Sequence, residues 1–167
     1  MTKQLLPVHK KDILTIFPYV EKYIRPAYNT GTGEQTWETI LGRAFLGDVI
    51  FWLAFHDGKV VGAGSTEIID FDGYRCVHVI TSSTDVGDGF EDYHYAFEKY
   101  ARQIDAKNVQ FWGRKGWSRA VDKITGINGE KYKEVYRVFS MEINYESNDT
   151  TPEPSHEAPQ PLGDGSS

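Results

Sequence analysis

The chain has 167 residues, 40% hydrophobic and 14% aromatic, with a formal charge of −6, which is enough apolar side chain for one domain with a proper core. A single cysteine, Cys76, excludes an intramolecular disulfide and fits a reducing, cytoplasmic setting, and no apolar run approaches the ~20 residues of a membrane-crossing helix. Five of the acids fall within residues 146–167, which carry no Lys or Arg, so residues 1–145 are nearly neutral at −1 and do not have the charge of a general nucleic-acid binder.

The start, Met1-Thr-Lys-Gln-Leu-Leu-Pro, lacks the apolar core of a signal peptide. Leu5-Leu6-Pro7-Val8 reads as a short edge strand, since proline is tolerated only at an edge. Ile13, Ile16, Phe17, Val20, Tyr23 and Ile24 predict a helix capped by Asp12, kinked or restarted at Pro18. Pro26 and the run Asn29-Thr-Gly-Thr-Gly-Glu read as a loop. Thr36 then caps a second helix with Trp37, Ile40, Leu41, Ala44 and Phe45 inward, stopped by Gly47-Asp48.

Three strands follow. Val49–His56 turns at Asp57-Gly58 into Lys59–Phe71, and Asp72-Gly73 turns that strand into Tyr74–Ser82. Ser83, Thr84 and Asp85 bend the chain into Gly87-Asp88-Gly89, and a long helix begins. Phe90, Tyr93, Phe97, Tyr100, Ala101 and Ile104 recur at spacings of three and four, while Glu91, Asp92, His94, Glu98, Lys99 and Arg102 fill the other face. Asn108–Gly113 is a further strand, Ser118–Ile124 a short helix closed by Gly126, and Tyr132–Tyr145 one or two strands that finish the sheet. A single folded domain over 1–145 is therefore expected, followed by a disordered, acidic, proline-rich tail over 146–167.

A strand that passes through a glycine turn into a helix points free backbone N–H groups at one spot, which suits a phosphate, although any such corner favours glycine. The order of elements resembles the GNAT superfamily of acyl-CoA N-acyltransferases over roughly residues 3 to 145. Asp57-Gly58-Lys59-Val60-Val61-Gly62 resembles the hairpin between the family's second and third strands. Gly87-Asp88-Gly89 resembles the centre of its pyrophosphate loop, and Gly126 falls where its fourth helix ends. Phe111-Trp-Gly-Arg-Lys-Gly-Trp117 is similar to small members encoded by tailed bacteriophages. The resemblance implies an α/β fold of the α+β type: a mixed, mainly antiparallel sheet of six to seven strands flanked by about four helices.

It also implies acetyl-CoA as co-substrate and an amine as acceptor. The acyl-CoA would lie between the parted Tyr74–Ser82 and Asn108–Gly113 strands. Backbone groups of Ile80, Thr81 and Ser82 would hold the pantetheine arm, and the N–H groups of Val86, Gly87, Asp88, Gly89 and Phe90 the pyrophosphate. A backbone N–H near Thr81 would face the developing oxyanion. Three positions depart from the family pattern. Val86 stands where the loop carries an arginine, Glu91 where it carries a small residue, and Asp122 where the short helix carries the tyrosine that protonates the thiolate, leaving Tyr132 and Tyr136 as substitutes. Asp85 and Asp88 add negative charge beside the phosphate site.

Amine attack on a thioester needs a proton acceptor. Glu67 and Asp70 lie on the strand where family members carry one, against the plain alternative of a solvated strand face. His78 alternates with Cys76 and Ile80; an imidazole there would accept a proton near neutral pH, or simply be a hydrogen-bonded sheet residue. Arg114, Lys115, Arg119 and Lys123 form one basic cluster, available to a 3′-phosphate, an acidic partner or nucleic acid, or an ordinary charged face. Trp112 and Trp117 read as packing, and His9, His56, His94 and His156 with Cys76 show no metal-ligand spacing. Two functions follow: an N-acetyltransferase with a degenerate cofactor loop, acting in the cytoplasm, or a non-catalytic phage virion or host-interaction protein on the same fold, with a phage or host protein as its partner.

Overall fold

Two left-handed residues set the first hairpin. Asp57 (φ 49°) and Gly58 (φ 77°) form the two-residue turn whose twist matches that of the paired strands, joining β2 (Val49–His56) to β3 (Lys59–Phe71). Gly73 (φ 93°) turns β3 into β4 (Tyr74–Thr84). The computed structural model describes residues 2–29, 35–86, 89–113, 117–135, 140, 141 and 143. Among them the sheet has five strands in the order β1-β2-β3-β4-β5, with β1 spanning Lys3–Pro7 and β5 Asn108–Phe111. The first three junctions are antiparallel and β4–β5 is parallel. A parallel neighbour needs a crossover, and α4 (Gly89–Gln103) supplies it.

Side chains alternate across the strands, so each face of the sheet has its own core. Val49, Phe51, Leu53 and Ala63 pack beneath Val20, Ile40 and Ala44 of α1 (Phe17–Tyr23) and α3 (Trp37–Leu46) and beneath Ile24, the C-cap of α1; the five-residue α2 (Arg25–Asn29) follows. On the other face Trp52, Val79 and Phe97 gather Tyr100, Val109 and Phe111. The Trp52 indole, buried there, donates to Thr66 Oγ1 at 2.9 Å. Thr36 Oγ1 accepts the Thr39 N–H at 3.2 Å as the N-cap of α3, and Gly47 (φ 91°) closes that helix.

Several sequence expectations are corrected. Asp12 caps no helix over 13–24. It ends a single 3-10 turn, Lys10–Asp12, and α1 begins only at Phe17, where Pro18 occupies the first turn and needs no N–H partner. Helix α2 occupies part of the expected loop. Phe45 is exposed rather than inward. β4 runs on to Thr84, β5 stops at Phe111, and the short helix, α5, is Trp117–Val121. The sheet has five strands among the described residues, not six to seven. Residues 132–135, 140, 141 and 143 lie in no strand, and the rest of 132–145 is outside the described residues.

The largest correction concerns α4. His94 and Glu98, assigned to its polar face, are 4% and 7% exposed. Glu98 is drawn inward because the turn after α5 offers it donors. Its carboxylate accepts the Ile127 N–H at 3.0 and 3.1 Å and Arg102 at 2.7 Å. Tyr132 bonds His94 Nδ1 at 3.0 Å and sets its ring against Phe111. Burial pushes the His94 imidazole below its ordinary value and the Tyr132 phenol well above its own.

Residues Met1–Lys133 form one compact unit and Glu134–Ser167 a second, in which none of the described residues lies in a helix or strand. The expected tail, 146–167, lies outside the described residues. Among the described residues no helix is long and apolar enough to cross a membrane.

Candidate active site

The β4–β5 pairing runs from Cys76↔Asn108 to Val79↔Phe111 and then ends, while β4 continues to Thr84. The two strands therefore part just beyond Val79. At the same point the β3–β4 register slips. Thr66 faces Val79 and Ser65 faces Thr81, so Ile80 is an extra residue with no partner of its own across β3. A bulge at this position bends β4 and re-aims its backbone groups.

Beside the bulge lies a buried polar cluster on the face covered by α1–α3. His78 Nδ1 is 2.8 Å from Glu67 Oε1, and Arg43 from the last turn of α3 donates to Glu67 Oε2 at 2.6 Å. The Trp112 ring, itself 60% exposed, lies over the imidazole with centroids 4.8 Å apart. The second imidazole nitrogen, His78 Nε2, is buried and has no hydrogen-bond partner among the described residues. The hydrogen bond from His78 and then that from Arg43 hold the Glu67 carboxyl below its usual range, outweighing the burial that opposes them. A carboxylate on Nδ1 places the imidazole proton there and leaves Nε2 as a proton acceptor.

Two rungs along the ladder, past Thr66↔Val79, Ser65 Oγ and Thr81 Oγ1 are 2.7 Å apart. The Tyr28 hydroxyl of α2 reaches both, but in no aligned hydrogen bond. Cys76, on the same strand, is buried, which pushes its thiol up to about 11, so it is no nucleophile at neutral pH.

The structure thus brings Glu67, His78, Ile80 and Thr81 to one place, with Ser82 opposite Gly64 on the strand beyond. Asp70 stands apart, exposed and paired with Arg75 at 2.7 Å. Asp85, expected to add negative charge beside the phosphate site, is ion-paired. Lys22 Nζ at 2.7 Å and the Tyr23 hydroxyl at 2.6 Å hold its carboxylate against α1. Val86 ends the described part of this corner, Gly87 and Asp88 lie outside the described residues, and Gly89 and Phe90 open α4. Glu91 is 3.8 Å from Lys123. Of the other basic residues, Arg114 and Lys115 lie outside the described residues. Arg43, Tyr28 and Ser65 carry no sequence signal, because their partners are brought in by helix packing and strand register. Trp112 was legible only as packing.

No protein-family model matches the chain, and no curated protein matches it in sequence. Solved structures do match. A probable acetyltransferase is similar with a TM-score of 0.59 and 12% identity, over 84% of this chain and 99% of that one. An aminoglycoside acetyltransferase from an uncultured soil metagenomic sample gives 0.59 at 10% identity, over 86% and 100%. The ribosomal-protein-alanine N-acetyltransferase of Brucella melitensis biovar Abortus 2308 gives 0.56 at 10% identity, over 85% and 100%. The fold is that of the GNAT acetyltransferases. At these identities the likeness is one of architecture.

One consequence of the Glu67 geometry can be measured without any ligand. Its carboxyl is lowered in the folded protein, so ionised Glu67 stabilises the fold above the ordinary carboxylate range, and that contribution is lost as pH falls through the lowered value. Between about pH 5 and pH 3 the wild-type urea midpoint should therefore fall more steeply than that of Glu67→Gln. Parallel curves would mean that the His78 and Arg43 contacts do not hold the carboxylate in solution.

Proposed function

We propose that the chain is an acyl-CoA-dependent N-acyltransferase in which His78 Nε2 is the proton acceptor. The observation that carries this reading is the buried Glu67–His78 pair, which leaves an imidazole nitrogen, unpartnered among the described residues, at the point where β4 and β5 part. The β4 backbone from Ile80 to Thr84 has no β5 partner among the described residues, so an extended amide-bearing chain such as pantetheine fits there as a strand does. The amine nitrogen attacks the thioester carbonyl carbon. The C–N bond forms, the nitrogen's proton passes to His78 Nε2, and the C–S bond breaks to release the thiolate. Backbone N–H groups at the Ile80–Thr81 bulge would meet the developing oxyanion, and those at the head of α4, from Val86 to Phe90, the pyrophosphate. Arg43 and Glu67 hold the base in the tautomer the step requires.

Two residues weaken the anionic end of this site. Val86 supplies no cation, and Glu91 in the first turn of α4 competes with a phosphate for the positive end of the helix. Acetyl-CoA should therefore bind in the range of about tens of micromolar, roughly −6 kcal/mol. Calorimetry with acetyl-CoA tests the reading, and absence of any binding overturns it.

Glu91 and Val86 also favour a second reading, in which a phage-encoded chain keeps the fold as a virion or host-interaction module. That reading requires the protein at fixed copy number in purified particles by mass spectrometry. Its detection there, together with no acetyl-CoA binding, would establish the second reading over the first.

A further inference from the structure

We propose that Tyr28 donates the second hydrogen bond to the oxyanion of this acyl transfer, an assignment that rests on the acyltransferase reading. Two polar atoms at the cluster are buried without a hydrogen-bond partner among the described residues: His78 Nε2 and the Tyr28 hydroxyl. They flank two rungs of one ladder, Glu67↔His78 and Ser65↔Thr81, with Thr66↔Val79 and the Ile80 bulge between them. A buried phenol without an aligned hydrogen bond costs stability, and Ser65 and Thr81, though within its reach, do not align with it. Ser65 and Thr81 have already bonded to each other at 2.7 Å, so the fold holds Tyr28 beside them with its proton unassigned. The ring is fixed independently, packed against Trp37 with centroids 6.4 Å apart.

The two orphans are complementary. One is an acceptor, the other a donor, and they stand at the place where the bulge turns the β4 backbone. A group that gives a proton to the first and an oxygen lone pair to the second satisfies both. The adduct of an amine and a thioester is such a group: its nitrogen sheds a proton while its former carbonyl oxygen carries the charge. As the C–N bond forms, the carbonyl π pair moves onto oxygen, where the Tyr28 O–H meets it. When that pair returns, the C–S bond breaks and the thiolate leaves, to be protonated from solvent. Burial holds the phenol above its ordinary value, so it acts as a donor at neutral pH, and its proton stays on Tyr28 throughout.

The test is Tyr28→Phe, assayed by thiol release from acetyl-CoA with water as the acceptor and compared with thermal denaturation of the same protein. Removing one oxyanion donor should lower kcat by about 10²–10³-fold, with KM for acetyl-CoA within about twofold. The melting temperature should be unchanged or raised, because the hydroxyl that is lost had no aligned partner. Wild-type kcat in Tyr28→Phe overturns the assignment. So does a raised KM at unchanged kcat, which would mark simple substrate binding, and so does a fall in melting temperature that accounts for the lost activity. No thiol release by the wild-type protein would instead remove the acyltransferase reading, and this assignment with it.

Discussion

His78→Gln is expected to lower thiol release from acetyl-CoA by about 10²–10⁴-fold, the usual contribution of a positioned general base, with little change in acetyl-CoA affinity. Glutamine can keep a hydrogen bond to Glu67 but has no nitrogen that takes up a proton near neutrality. Arg43 remains on Glu67 at 2.6 Å, so the carboxylate is not left as an uncompensated buried charge, and the fold should persist. A variant that retains activity within about threefold would move the base elsewhere. Glu67→Gln should lie between wild type and His78→Gln, because it removes the group that selects the tautomer rather than the acceptor itself.

Phe97→Ala is expected to cost about 3–5 kcal/mol in chemical denaturation. The ring is 1% exposed, meets Trp52 edge-on at 5.2 Å, and lies near Gly64, where an added Cβ would be 3.8 Å from its edge. Glu98→Ala, one residue on, should cost about 2–3 kcal/mol, since it strips a charged partner from the Ile127 N–H and from Arg102. From sequence alone, as a residue of the polar face, Glu98 would cost almost nothing. A loss below about 0.5 kcal/mol would restore that reading and show that the turn at Ile127 is held by other contacts.

The difference between these two residues reflects how α4 is built. The apolar spacing of Tyr93, Phe97, Tyr100 and Ala101 sets which stripe meets the sheet, and that stripe is local information. A second flank of the same helix is covered by the segment that returns after α5, some thirty residues on: Ile127 lies 29 positions from Glu98, and Tyr132 lies 38 from His94. No periodicity within the helix announces that cover, so two polar side chains read as solvated become buried and partnered.

The same division runs through the whole chain. Residue order alone determined the hairpin at Asp57-Gly58, the Thr36 cap, the Gly47 stop, the antiparallel meander and the long crossover helix, because each depends on backbone preferences within a few residues. It also singled out His78, by its alternation with Cys76 and Ile80 along β4, while Glu67 was marked, with Asp70, by its place on the strand where the resembled family carries a base. Only the tertiary structure decided that the two touch, because contact across 11 residues depends on the register of the β3–β4 ladder. Arg43 joins them across 24 residues through the packing of α3, Tyr28 arrives from an unforeseen helix, and the bulge at Ile80 follows from a one-residue mismatch between strands. Asp85, an acid beside a phosphate loop when read in sequence, became an anchor for Lys22 and Tyr23 once α1 was laid against it. Local stereochemistry is written in neighbouring residues; the partners of a buried polar group are set by whichever distant segment the fold packs over it.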